Sequence, residues 1–355
     1  MDGCLQTQQY GPDCQKLRKL KSMFSKKLAA AFVLLASLHL MNPGYAENAK
    51  QIKFSNYLEF QNGSDSAKLL WITEPDGTPN IGVLQCPMSF VSLENGNTWI
   101  ADTQNARLCL FSKDGKNIKE INLLELGKKA GLADPPAIVD ICLSNGNILA
   151  GDAASNSVLE INPETLALRI FKSPGTDNGG WFQISHLFTD NQQRIYIDDL
   201  ALGKIIVLDK DGKYLGDNAA ASIAVSKTDS SMASIHYVEE TDGEAEASYY
   251  QIAVNKGFTT PWYPIVNLNT DNESIIYINI IGIDKNNDIY VLYETESTRF
   301  YQVFSMKGEL KKSFTAYPMI PMINPARPDW IDENGNIYSA VVVDNNLKIL
   351  KYTAN

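Results

Sequence analysis

The chain has 355 residues, with 31 Lys and Arg against 41 Asp and Glu, and its formal net charge is −10 at pH 7. An acidic protein repels the phosphates of nucleic acids and the head groups of anionic lipids, so composition argues against both as partners. Length alone suggests two or three domains, but a repeated architecture of this size folds as one unit.

The N-terminus has the pattern of a secretory signal peptide. Residues 28–41 form an apolar run that follows Lys26 and Lys27, and small residues precede an expected cleavage after Ala46. Fourteen apolar residues are too few to span a bilayer, so we expect no stable membrane anchor after cleavage. We predict a leader over 1–46, with its start at Met23, and a secreted or periplasmic mature protein over 47–355. The mature part has 25 basic and 39 acidic residues, a net charge of −14.

One short pattern, a turn that leads into a strand, recurs five times along the mature chain. The copies are Asn95–Asp102, Asn145–Asp152, Arg194–Asp199, Asp288–Tyr293 and Asn334–Ser339. Most intervals are close to 50 residues, and the interval between the third and fourth copies is about twice as long, which places one further blade near residue 242. A turn and strand at this period is typical of a β-propeller.

Each repeat reads as four short strands separated by Asx and Gly turns. The fourth is the weakest: we expect its inner strand at 235–238, with an acidic hairpin loop at 239–246. The sixth, at 330–352, is one strand short, and we expect residues 51–73 to supply the missing outer strand, through 52–54 or 68–72, because closure removes an exposed edge. The predicted fold is an all-β, six-bladed β-propeller whose N- and C-terminal strands close the last blade.

The segment from Asn95 to Phe111 resembles the NHL repeat. It has the Gly-Asn turn, a strand that ends in Asp102, and the Asn105-x-Arg107 return of that family. The resemblance covers about 85–352 and implies a six-bladed, NHL-like ring. The family includes protein- and RNA-binding modules, and gluconolactonase-like hydrolases and a peptide-amidating lyase are more distantly related.

Common catalytic signatures are missing from the sequence: it has no GxSxG, HExxH, P-loop, GxGxxG or complete EF-hand motif. Asp102, Asp152 and Asp199 each end a second strand, where a carboxylate can accept backbone N–H groups across the turn, so we interpret them as structural. Cys86, Cys109 and Cys142 are interpreted as small buried hydrophobic residues, with a disulfide as the alternative.

A candidate site emerges from the innermost strands, whose equivalent residues should surround the propeller axis. Counting back from each second strand reaches Asp140 in the second blade, His186 in the third and Asp329 in the sixth, and alignment by eye adds His236 in the fourth. Two imidazoles and two carboxylates could bind zinc, manganese or calcium, or act as acid and base. The alternative is a polar lining of a water-filled channel.

Two functions follow. The first is a binding or scaffold module for a protein, peptide or glycan ligand. The alternative is a metal-dependent hydrolase or lyase of the gluconolactonase-like type, with a divalent metal ion on the central channel. Neither the substrate nor the oligomeric state is encoded in a recognisable motif.

Overall fold

The computed structural model describes residues 50–51, 54–71, 86–175, 179–220, 222–242, 245–258, 260–268, 274–316, 327–343 and 346–352. The predicted leader at 1–46 lies outside these residues. The chain divides into two compact units, one of 49–238 with 248–355 and one of 1–48 with 239–247. Among the described residues, no helix has the length and apolar character needed to cross a membrane.

The larger unit is a six-bladed β-propeller, built from six small sheets in which successive strands are antiparallel. Two strands precede the first blade: β1 (Lys50–Gln51) and β2 (Ser55–Gln61). The first blade consists of β3 (Ser89–Ser92), β4 (Thr98–Asp102), β5 (Arg107–Phe111) and β6 (Asn117–Asn122), and helix α1 (Leu123–Lys129) follows it. The second consists of β7 (Ile138–Ser144), β8 (Asn147–Asp152), β9 (Ser157–Ile161) and β10 (Leu168–Lys172).

The next two blades repeat this arrangement. The third consists of β11 (Ile184–Thr189), β12 (Ile195–Asp199), β13 (Lys204–Leu208) and β14 (Tyr214–Ala219). The fourth consists of β15 (Ile223–Val225), β16 (Met232–Asp242), β17 (Ala245–Asn255) and β18 (Tyr263–Leu268).

The last two blades recruit the N-terminal strands. The fifth consists of β19 (Tyr277–Ile283), β20 (Ile289–Glu294), β21 (Arg299–Phe304) and β22 (Leu310–Ala316), and β1 pairs in parallel with β22 as a fifth strand. The sixth consists of β23 (Asp329–Ile331), β24 (Ile337–Val343) and β25 (Asn346–Tyr352). In these two blades the inner strands are β19 and β23, which border the axis.

Closure by an N-terminal strand is confirmed, because β2 pairs antiparallel with β25 as the outer strand of the sixth blade. The strand lies within the expected range 51–73, but it is neither of the two segments singled out there. β2 lies between them, where Leu58 and Phe60 alternate with polar residues and are 3% and 2% exposed. This period of two buries one face of the strand in the core, together with Trp71 and Phe111.

The expected inner strand of the fourth blade was wrong. Its inner strand is β15, whereas residues 235–238 belong to the second strand, β16. The three residues Ile223, Ala224 and Val225 are all buried, and so short an apolar run carries no period by which to recognise it.

The residues that carry the NHL resemblance hold the closing segment in place. Asp102 accepts hydrogen bonds from Arg107 Nε at 2.7 Å, Asn105 Nδ2 at 2.7 Å and the backbone N–H of Leu70 at 3.1 Å. Arg107 Nη2 donates to the carbonyl oxygens of Asp65 at 2.9 Å and Lys68 at 2.7 Å. This buried ion pair therefore ties the first blade to the loop that follows β2.

The other two repeated aspartates confirm the structural interpretation. Asp152 accepts the backbone N–H groups of Ala137 at 2.7 Å and Ala154 at 3.1 Å. Asp199 accepts those of Phe182 at 2.6 Å and Ala201 at 2.9 Å. Each carboxylate thus joins the start of its blade to the turn after its second strand.

Candidate functional site

An axial cavity of about 440 Å³ opens at one end of the propeller. All six inner strands (β3, β7, β11, β15, β19 and β23), or the turns and segments next to them, contribute to its lining. These turns connect the first and second strands of each blade, so the cavity lies at that end of the ring. We call it the axial cavity below.

The wall of the axial cavity combines apolar and polar side chains, and its tryptophan is stacked against two other rings. Trp330 is stacked between Phe90 and Tyr338, with ring centroids 5.2 and 5.3 Å away and interplanar angles of 6° and 8°. The Cζ atom of Arg327 lies over the Phe188 ring, 4.9 Å from the ring centroid. The wall also has aliphatic side chains, including Ile141, Leu143, Leu187, Val225, Ile281 and Ile331, together with polar and charged ones on the turns.

Arg327 is the charged group at the inner end of the cavity. Its Nη2 donates to Asp140 Oδ2 at 2.7 Å and to the carbonyl oxygen of Leu187 at 3.2 Å. The Asp140 side chain is fully buried, whereas 17% of the Arg327 side chain is exposed. Arg327 therefore reaches from the segment before the sixth blade to the second and third blades.

Asp140 is also the centre of a network between blades. Its Oδ1 accepts from Ser89 Oγ of the first blade at 2.5 Å, and its Oδ2 accepts from the backbone N–H of Leu187 of the third at 2.8 Å. With Arg327, this carboxylate has three donors from outside its own blade. A buried charge of this kind is tolerated because it is paired and hydrogen-bonded.

His186 occupies the position of Asp140 in the next blade. Asp140 pairs with Gly151 and His186 with Asp198, and each directly follows a bulge. His186 Nδ1 lies 3.1 Å from Asp198 Oδ2 and 3.0 Å from Ser185 Oγ. The sequence count thus aligned Asp140 and His186 correctly, and the structure gives His186 a carboxylate partner.

His236 is not on an inner strand, so the alignment that included it was wrong. It lies on β16, the second strand of its blade, where its ring meets the edge of Trp262 at 5.5 Å. Its Nε2 is buried and has no hydrogen-bond partner among the residues that the structure describes, and burial lowers the pKa of the imidazole. The blade had been aligned on the wrong strand because β15 is so short.

Asp329 lies on the inner strand β23 but has its own partners. Its Oδ1 is 3.4 Å from Arg299 Nη1 and accepts from the Tyr301 hydroxyl at 3.3 Å. Both Asp329 and Arg299 are buried. Burial, followed by the nearby charge of Asp329, raises the pKa of Tyr301 well above its usual value.

The four predicted metal ligands therefore have separate environments. Within the part of the chain that the structure describes, no group of three or more His, Cys, Asp or Glu side chains is arranged to hold a metal ion. A first shell shared by Asp140, His186, His236 and Asp329 stays a prediction.

Sequence reasoning missed Arg327 and Ser89. Arg327 stands directly before Pro328 and Asp329, where the chain enters the last inner strand. A cation next to an axial strand was the available signal, but only the fold shows that it faces Asp140. Ser89 was missed because a serine on an apolar inner strand gives no signal of its own in the sequence.

No protein-family model matches the chain, and no curated protein matches it. Solved structures, in contrast, do match the chain. A member of the DUF4221 family from Bacteroides vulgatus has a TM-score of 0.52 at 13% identity, over 86% of this chain and all of that one. A putative exported protein from Bacteroides fragilis has a TM-score of 0.49 at 10% identity, over 87% of this chain and 96% of that one. Virginiamycin B lyase from Staphylococcus aureus has a TM-score of 0.43 at 12% identity, over 76% and 84%. At this identity the first likeness shows a shared fold, and the class of this protein is that of the six-bladed β-propellers.

Proposed function

We propose that this protein is an exported binding module that takes a peptide, or a peptide segment of another protein, into the axial cavity. The observation that carries the proposal is the position of Arg327, beside aliphatic side chains, in a cavity to which all six blades contribute. Concave, mostly apolar sites with a few fixed polar groups are the usual form of a ligand site.

A peptide fits this lining better than a glycan does. Sugar rings are commonly bound on open aromatic faces, and both faces of Trp330 are stacked against other rings. The Phe188 ring is covered on one side by Arg327. Aliphatic walls, in contrast, suit the apolar side chains of a peptide.

The blade junctions support a rigid platform. Ser89, Asp140 and Ser222 each accept a backbone N–H from the next inner strand, at 3.2, 2.8 and 2.9 Å. A site built on strands that are fixed in this way is preorganised, which lowers the entropic cost of binding.

Export is proposed from the leader pattern at 1–46 and from the acidic mature part. The test is N-terminal sequencing of the protein made by its own cell. A mature end near Glu47 supports export, and an intact Met1 or Met23 on a cytosolic protein contradicts it.

The binding proposal is tested with an array of immobilised random hexapeptides probed with the purified protein. Thr228 is exposed and lines the mouth of the cavity, so Thr228→Trp should obstruct the cavity without disturbing the core. Leu200, 65% exposed, follows β12 at the other end of its blade, and Leu200→Trp is the matched control. We expect binding that Thr228→Trp abolishes and Leu200→Trp preserves. Absence of any peptide binding contradicts the proposal.

A second candidate, a hydrolase or lyase that acts from the central channel, is favoured by one observation. Asp198 lies within hydrogen-bonding distance of His186 Nδ1, an arrangement that orients an imidazole for acid–base chemistry. Metal analysis tests the metal-dependent form. A stoichiometric divalent ion that is lost in His186→Ala would favour the enzyme, and a metal-free protein would favour the binding module.

A further inference from the structure

We infer that the ligand presents a carboxylate to Arg327, a conclusion that rests on the proposed peptide-binding function. The carboxylate could be the C-terminus of a peptide or the side chain of an Asp or Glu within it. Both sources present the same two carboxylate oxygens, and the peptide experiment distinguishes one source from the other.

Arg327 has more N–H donors than it uses within the protein. A guanidinium has five N–H groups in a fixed, planar fork. Nη2 uses its two on Asp140 and Leu187. Among the described residues, no acceptor lies within hydrogen-bonding distance of Nε or Nη1, which leaves three N–H groups on the side chain that lines the cavity.

The guanidinium is held in place before any ligand arrives. Asp140 fixes one edge of the fork, and the Phe188 ring lies against its face at 4.9 Å. Asp140 therefore acts as a positioning residue. The Nε–H group and the Nη1 N–H groups point to different sides of the guanidinium, so each can donate a single hydrogen bond to a carboxylate oxygen.

Two acidic side chains that line the cavity already accept hydrogen bonds from backbone N–H groups. Asp284 accepts the backbone N–H groups of Asn286 and Asp288, both at 2.9 Å. Asp332 accepts those of Asn334 at 2.9 Å and Asn336 at 3.0 Å.

Both lysines at the mouth of the cavity already have partners. Glu333 pairs with Lys227 at 3.1 Å, and Lys285 Nζ donates to Asn334 Oδ1 at 2.8 Å. Glu94 is exposed at the mouth. Among the described residues that line the cavity, Arg327 is thus a cation with unused donors, and the same lining includes aliphatic side chains such as Leu187 and Ile141. A carboxylate flanked by apolar groups complements this arrangement.

The test uses three sets of immobilised hexapeptides. The first has a free C-terminal carboxylate and no Asp or Glu, the second has the same sequences with a C-terminal amide, and the third has the amide and one internal Asp. The purified protein is compared with Arg327→Gln and with Arg169→Gln. Arg169 is the matched control because it is an ion-paired arginine on the outer strand β10, outside the cavity.

We expect the protein to bind the first or the third set and not the second, and the set that binds identifies the source of the carboxylate. Arg327→Gln should lower the affinity about 10- to 100-fold, the usual effect of losing hydrogen bonds to a charged group. Arg169→Gln should leave it unchanged. A circular dichroism melt confirms that both variants are folded.

Two contrary results have different meanings. If the amidated peptides without Asp bind as well as the others, or Arg327→Gln binds normally, the carboxylate inference is wrong while peptide binding stands. If none of the three sets binds, the proposed function itself fails.

Discussion

Ser89 and Asp140 make the same contact between the first and second blades as Ser222 and Asn279 make between the fourth and fifth. In each pair the serine Oγ donates to the side-chain oxygen at 2.5 Å. The same Oγ accepts the backbone N–H of the following residue, Ile141 in one case and Ile280 in the other. The contact therefore belongs to the repeat, whereas the charge on Asp140 is specific to one junction and is paired with Arg327.

The first prediction compares the loss of stability when the serine is removed from each of these two junctions. Both Ser89→Ala and Ser222→Ala should destabilise the fold, because the first removes a buried hydrogen bond and the second a partly buried one. Ser89→Ala should cost more, about 1.5–3 kcal/mol against about 0.5–1.5 kcal/mol, since Ser89 donates to a charged group. Urea unfolding monitored by tryptophan fluorescence measures both. An equal or larger loss in Ser222→Ala would show that the charge on Asp140 does not strengthen its junction.

A second prediction concerns ring closure. Arg107→Lys should lower the free energy of unfolding by about 2–4 kcal/mol, because a lysine cannot reach Asp102, Asp65 and Lys68 together. Arg169→Lys, at an exposed ion pair, should change it by less than about 1 kcal/mol. Similar melting temperatures for the two variants would refute the role of Arg107 in closure.

A third prediction follows from His236. Burial lowers its pKa below the ordinary 6.5, so the folded state binds a proton less readily than the unfolded state. The contribution of His236 to stability is present above about pH 6.5 and is lost as the pH falls through that value. His236→Phe keeps the aromatic contact with Trp262 and should unfold at the same or a higher temperature, with a flatter pH dependence between 7 and 5.

Melting curves of the protein and of His236→Phe at pH 7, 6 and 5 provide the measurement. If the variant loses several degrees at pH 7, the imidazole makes an interaction that the buried, unpartnered Nε2 does not suggest. Parallel pH profiles would show that His236 is not the source of the dependence.

A fourth prediction concerns Cys109 and Cys142, which are buried and form no disulfide among the described residues. Burial raises the pKa of Cys109 and of Cys142 to about 12, so little thiolate forms near pH 8. A disulfide-exchange reagent should therefore label neither thiol in the native protein and should label both in guanidinium chloride. Rapid labelling in the native state would mean that the blades open locally or that these cysteines are exposed.

The sequence predicted the repeats well because each repeat carries its own local signals. The Asn95-Gly96 turn, the aspartate at the end of β4 and the returning Arg107 all belong to one blade, and each has its expected role in the structure. The order of strands follows from the same signals, since adjacent strands are joined by short turns.

What the sequence did not predict depends on contacts between distant segments. Arg327 meets Asp140 across 187 positions of the chain, and no local pattern encodes such a contact. β15 is too short to show a period, so His236 was assigned to the wrong strand. The carboxylate at 140 was recognised as axial, but its partners were visible only in the fold.

The measurement that tests the central claim most directly is hydrogen exchange of the protein with and without a hexapeptide that it binds. The account predicts slower exchange in the turns at the mouth of the axial cavity, at 93–97, 227–231 and 284–288, and unchanged exchange in the turns at the other end of the blades, at 103–106, 153–156 and 200–203. Protection confined to the second set, or equal in both, would contradict the axial cavity as the binding site.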